Sequence, residues 1–143
     1  MTPQERAERS SDALWLDDHA TRWFGMERVS VAEGRAVMRM TVETHHCNGH
    51  GICHGGVIFS LADSAFAFAC NARNVPTVAQ MNTITFIAPG AAGDVLTAEA
   101  REVSLRGRSG IYDITVTRQT GEVLAEMRGH SRAIKGKLFE EET

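Results

Sequence analysis

Ten consecutive residues, His45-His46-Cys47-Asn48-Gly49-His50-Gly51-Ile52-Cys53-His54, carry four histidines and two cysteines, and Gly55-Gly56 and Asp63 follow directly behind them. The cluster invites a metal reading. Structural zinc sites, however, pair their ligands as C-x2–4-C or H-x3–5-H with a second half-site elsewhere. Here the cysteines are spaced C-x5-C and no second cluster follows. No metal is expected.

Asp63 sits in a run of apolar residues, with Phe59, Ala62, Phe66 and Ala67 within one turn of a helix. A carboxylate there costs several kcal/mol unless it is solvated or paired. It is either a structural aspartate bonded to a neighbouring strand, or a general base or nucleophile lining a cleft, where burial raises its pKa. Gly55-Gly56 opens the same run. The first amides of a helix have no partner within it, and glycines let a ligand approach them closely. The helix dipole reinforces the site, which suits an oxyanion. The plainer alternative is a tight turn. Ser60 and Ser64 flank Asp63 without the G-x-S-x-G elbow of a serine nucleophile.

Gly55 and Asp63 are eight residues apart, so one helix separates them by about 12 Å at 1.5 Å per residue. One carbonyl cannot be served by both from a single chain. If both act, two antiparallel helices from two copies must meet, as a two-fold dimer allows.

The elements that must position these groups follow from periodicity. Val57–Asn71 reads as a helix that is apolar almost all round, hence buried. Ahead of it the spacing predicts a short helix from Ser11 or Asp12 to about Arg22, with Leu14, Trp15 and Trp23 on its apolar face. Strands over Met26–Val31 and Arg35–Val42 follow, then an irregular loop over 43–56. Behind it come strands near 77–87, 94–104, 109–117 and 122–133, separated by Gly-containing turns. Short connections between strands indicate an antiparallel sheet. An α+β fold is expected, with a curved antiparallel sheet wrapped around one long central helix.

The 143 residues suit a single domain, with 1–10 and 139–143 expected to be loose. A net charge of −3 and a pI near 6.1 give no attraction to nucleic acid or to an anionic membrane. The longest apolar run, Val57–Cys70, is too short for a membrane span and contains Asp63. Three cysteines and a polar first segment point to the reducing cytoplasm.

Asn48, His54-Gly55-Gly56 and Leu61-Ala62-Asp63, within the run CHGGVIFSLADSAFAFACN, resemble the hotdog-fold acyl-CoA thioesterases of the PaaI group. The resemblance extends from about Ala13 to Ile134 and includes the Pro89-Gly90 turn and the Gly110-Ile111-Tyr112-Asp113 strand. It implies a hotdog subunit, a homodimer with a continuous sheet, and a tetramer of two such dimers. It also implies Asp63 as catalytic carboxylate, the Gly55 amide as oxyanion donor, and Asn48 and His54 as polar groups beside the thioester. Aryl-acetyl-CoA, such as phenylacetyl-CoA or hydroxyphenylacetyl-CoA, is the implied substrate, with short or medium aliphatic acyl-CoA as an alternative. No separate cofactor is needed, since coenzyme A is part of the substrate.

Further contacts to substrate are expected from Gly56, and from Asn82 and Thr83 on the strand after the helix. The coenzyme A phosphates call for positive groups, for which Arg106 and Arg108 in a hairpin turn are candidates, although both also read as solvated turn charges. Two other readings remain. An acyl-thioester dehydratase or hydratase would use His54 and Asp63 as an acid–base pair, and a non-catalytic acyl-CoA binding module would need no carboxylate.

Overall fold

A computed structural model describes residues 1–142 of the chain. In order, the elements are helices α1 (Pro3–Leu16) and α2 (His19–Trp23), strands β1 (Glu27–Ala32) and β2 (Arg35–Thr41), a 3-10 turn at Thr44–His46, helix α3 (Gly55–Cys70), and strands β3 (Thr77–Phe86), β4 (Val95–Arg106), β5 (Ser109–Thr117) and β6 (Val123–Ala133). The strands form one six-stranded antiparallel sheet in the order β1-β2-β4-β5-β6-β3. This is the hotdog arrangement the resemblance implies, with α3 against the concave face.

Side chains alternate across each strand, so every second residue meets α3. Met38 and Met40 of β2, Leu96, Ala98 and Ala100 of β4, and Ile114 and Val116 of β5 are all buried, and pack against Leu61, Ala62, Ala65, Phe66 and Ala69 of α3. The alanines of β4 leave room for the helix. Register shifts between Arg28 and Ser30, Ala79 and Met81, and Glu102 and Ser104 add the bulges that bend the sheet around α3. Among the described residues no helix is long and apolar enough to cross a membrane.

The helix α3 begins two residues earlier than its apolar pattern, because His54 caps it. Two expectations fail at the ends of the chain. Residues 1–10 are helical from Pro3: Thr2 and Glu5 form a capping box, and Pro3 occupies the first turn, where its missing N–H costs nothing. Ser10 is buried and accepts the Asn74 N–H at 3.0 Å. The helix expected from Ser11 or Asp12 to Arg22 is instead two, because Asp18 accepts from the Thr21 amide and hydroxyl and starts α2 afresh. Trp23 is consequently 78% exposed rather than on an apolar face. The tail expected to be loose is held at Phe139, whose carbonyl accepts from Asn74, and at Glu141, which pairs with Arg6 at 2.7 Å. Thr143 lies outside the described residues.

Loop 43–56 has more order than expected. Cys47 and Cys53 face each other as an antiparallel bridge, closed by Asn48 N–H to the Ile52 carbonyl at 2.8 Å and His54 N–H to the His46 carbonyl at 2.9 Å.

Candidate active site

His54 ends the loop in an extended conformation, φ −60° and ψ 134°, and its Nδ1 accepts the Gly56 N–H at 2.8 Å. That bond makes Nδ1 the acceptor, leaving Nε2 to carry the proton. The Val57 and Ile58 amides bond to the His54 carbonyl. Among the described residues this leaves the Gly55 N–H with no partner, at the positive end of a 16-residue helix. A Cβ at Gly55 would stand 3.2 Å from the Phe86 ring, so glycine keeps this approach open.

The free amide lies at a cavity of about 320 Å3 lined chiefly by Asn48, Ile52, Cys53, Gly55, Ile58 and Phe86. The Oδ1 of Asn48 accepts from the His50 and Ile52 amides at 3.0 and 3.4 Å. That leaves its Nδ2 as an unbonded donor among the described residues. An apolar pocket with a few convergent polar groups is the usual form of a small-molecule site. A larger cavity of about 430 Å3 lies between α1 and β1, but its polar groups, Gln4 with Glu8 and Arg28 with Asp12, bond to each other.

Asp63 lies two turns further along α3, half-buried. Burial pushes its carboxyl pKa above the ordinary value, opposed by a hydrogen bond that Asn82 Nδ2 donates to Oδ1 at 2.9 Å. The other carboxylates whose pKa is displaced, Glu5, Asp94, Glu102, Asp113 and Glu141, all move downward, each held chiefly by a hydrogen-bond donor. Among the described carboxylates whose pKa is displaced, Asp63 alone moves upward. Asp63 is thus bonded to a strand, as the structural alternative expects, while burial raises its basicity.

Asn82, expected at the acyl group or the dimer partner, is bonded to Asp63 in the structure. Its Oδ1 is buried with no hydrogen-bond partner. Gly129 of β6 pairs directly with it, and a Cβ there would come within 3.0 Å of that oxygen and 2.9 Å of the Phe66 ring. Sequence reasoning missed Gly129. A glycine in the middle of a strand pattern signals a close approach, and that was the available clue.

Other expected residues are not brought together. Thr83 follows Asn82 on the strand, so it faces the opposite side of the sheet and is exposed. Gly56 is exposed, and its amide is occupied by His54. Arg106 and Arg108 are exposed in the β4–β5 turn, and Arg108 borders Cys70 at the far end of α3 from Gly55. Ser60 donates to the Gly56 carbonyl and Ser64 shares a hydrogen bond with Thr21, so both hydroxyls are engaged. Burial raises the Cys53 thiol to about 11, which leaves it a poor nucleophile. The His45 and His46 rings meet tilted at 48°, and among the described residues no three His, Cys, Asp or Glu side chains gather as metal ligands.

Residues 50–125, which include Gly55, Asp63 and Asn82, match the family model of the thioesterase superfamily. The chain is 41% identical over 133 residues to the acyl-coenzyme A thioesterase PaaI of Escherichia coli, covering 93% of this chain and 95% of that one. The E. coli PaaI structure superposes with a TM-score of 0.93 at 40% identity, covering 95% of this chain and 99% of that one. A PaaI structure from Thermus thermophilus matches at 0.79 with 34% identity, covering 82% and 100%. A Streptococcus mutans protein solved with acetyl CoA bound matches at 0.74 with 26% identity, covering 78% and 90%. With a free helix-terminal amide, a raised carboxylate and these relatives, the chain belongs to the thioesterase superfamily.

Proposed function

We propose that the chain hydrolyses acyl-CoA thioesters, with aryl-acetyl-CoA (phenylacetyl- or hydroxyphenylacetyl-CoA) preferred and short to medium aliphatic acyl-CoA as lesser substrates. The observation that carries this reading is the pair of complementary groups on α3: the unpaired Gly55 N–H and the upward-shifted Asp63. The PaaI relatives support the aryl-acetyl preference.

Asp63 takes the proton from a water that attacks the thioester carbon. The oxyanion is received by the Gly55 N–H, with Asn48 Nδ2 and the His54 Nε2–H as neighbouring donors. The coenzyme A thiolate then leaves and is protonated from Asp63. A thiolate departs readily, so one carboxylate and one good oxyanion donor suffice.

The two groups are about 12 Å apart along α3, so the working site joins Asp63 of one copy to Gly55 of another. The edge strand β3 provides the means: Val78, Met81 and Phe86, with Ile87 just beyond, are exposed apolar residues beside unpaired backbone. Pairing two β3 edges about a two-fold axis gives a homodimer with a continuous sheet, and two dimers make the tetramer. Antiparallel α3 helices then carry Arg106 and Arg108 of one copy towards the Gly55 end of the other, where the coenzyme A phosphates are held. Three free cysteines suit the cytoplasm.

The test is free coenzyme A release, read with a thiol-reactive dye, across a panel of acyl-CoA thioesters. Faster hydrolysis of aryl-acetyl than of aliphatic thioesters is expected. Silence across the panel from folded protein refutes the proposal.

A further inference from the structure

Cys47 and Cys53 enter no step of the proposed reaction, yet the fold sets them opposite each other. The bridge that pairs them is closed by hydrogen bonds from the flanking residues, Asn48 to Ile52 and His54 to His46, so the two cysteines occupy the non-hydrogen-bonded position. At that position Cα atoms stand about 4.5 Å apart and side chains leave the strands on the same side. A disulfide needs Cα atoms roughly 4.4–6.8 Å apart, so the backbone already has the required spacing.

We propose that Cys47 and Cys53 form a redox modification site, closing into a disulfide by exchange with a low-molecular-weight disulfide and so stapling the turn that carries Asn48. At present each thiol makes only a weak contact to a carbonyl, Cys47 to Glu43 at 3.7 Å and Cys53 to His54 at 3.8 Å, and both must be given up. The order of events follows from exposure. Cys47 is half-buried, whereas Cys53 is 3% exposed and packs under Gly90. Cys47 thiolate therefore attacks the small disulfide first, forming a mixed disulfide and expelling one small thiolate. Cys53 then loses its proton and attacks the Cys47 sulfur, expelling the second. Two protein thiols and one small disulfide become one protein disulfide and two small thiols, so electrons and protons balance. The second step is the slow one, because burial lifts the Cys53 thiol to about 11. Cys70 stays outside the exchange, buried at the end of α3 with its thiol on the Ala67 carbonyl.

Glutathione disulfide is the probe. The full-length protein is incubated with it, free thiols are alkylated, and the cysteines are mapped by peptide mass. The expected product has lost two hydrogens per chain in a Cys47–Cys53 cross-link, keeps Cys70 free, and is reopened by dithiothreitol. The C53A variant should stop at a glutathione adduct on Cys47. Closure should also slow hydrogen exchange at the His50 and Ile52 amides, which Asn48 Oδ1 accepts. Wild-type protein that retains glutathione on Cys47 with Cys53 still free, that links through cysteines of two copies, or that does not react, overturns the proposal. So does fully cross-linked protein with unchanged exchange at those amides. Mapping of the wild type needs neither a variant nor an activity, so it is independent of the proposed hydrolysis.

Discussion

Replacing Gly55 by proline removes the hydrogen-bond donor and sets the ring Cδ in the place of the amide hydrogen. Gly55 is the first residue of α3, the one helical position where proline is favoured because its N–H has no helical partner. The residue before a proline must be extended, and His54 already is, at φ −60° and ψ 134°. The His54 carbonyl and ring keep their bonds to Val57, Ile58 and Gly56. The remaining obstacle is Phe86, whose ring would lie 3.2 Å from the new Cβ; that ring is 51% exposed and can give way. G55A is the control, since it adds the same Cβ but keeps the amide. Loss of one oxyanion donor costs about 2.7–4 kcal/mol, or roughly 10²–10³ in turnover. Gly55→Pro should therefore lose at least about that factor in kcat for phenylacetyl-CoA relative to Gly55→Ala, with similar melting temperatures. If folded Gly55→Pro turns over as fast as Gly55→Ala, the amide receives no oxyanion and the proposed mechanism is wrong.

Asn82→Leu removes the donor to Asp63; a hydrogen bond to a charged group contributes about 1.5–3 kcal/mol, so the acid limb of kcat/KM should move up by about 1–2 pH units. A limb that stays in place while KM rises would put Asn82 on the substrate instead. Asp63→Asn should lower turnover by roughly 10²–10⁴ yet stabilise the fold at neutral pH, as calorimetry would show. The folded state holds the Asp63 proton more tightly than the unfolded one, so this group's contribution to stability falls as pH rises from its ordinary 3.8 through its raised folded value, and the amide escapes that loss. Gly129→Ala crowds Phe66 and Asn82 at 2.9 and 3.0 Å, and overpacking of this kind costs about 1–3 kcal/mol in denaturant titration. Co-refolding equal amounts of Asp63→Asn and Gly55→Pro chains should recover about a quarter of wild-type activity, since half the dimers are hybrids with one intact site of two. No recovery with hybrids confirmed by native mass spectrometry would sink the shared site.

What could be read from sequence was what local periodicity records. The apolar circumference of α3 identified the buried helix, and Asp63 stood out as its one charge. Alternation and turn residues located the four later strands to within about two residues, the usual limit on element ends. The first helix has few apolar residues to mark it by period, although Thr2-Pro3-Gln4-Glu5 carries the capping-box pattern. The contact between Asn82 and Asp63 was not legible, because which residue of β3 faces Asp63 depends on the register that β3 takes beside β6, three strands on in the chain, and no local pattern encodes that register. Gly129 becomes meaningful only once β6 is known to lie beside Asn82. Arg106 and Arg108 were chosen on charge alone, and within one chain they lie by the Cys70 end of α3, away from Gly55.

The β3 edge has a consequence for handling the protein. Its ten residues end the sheet with unpaired backbone and exposed Val78, Met81 and Phe86. An edge of this kind is a template for any extended strand, including those of partly folded copies. The bulge between Ala79 and Met81 restricts which registers fit, which in the proposed dimer favours one closed pairing over open-ended growth. Substitutions that weaken that pairing should yield precipitate rather than stable monomer, so solubility would report on assembly before any measurement of size.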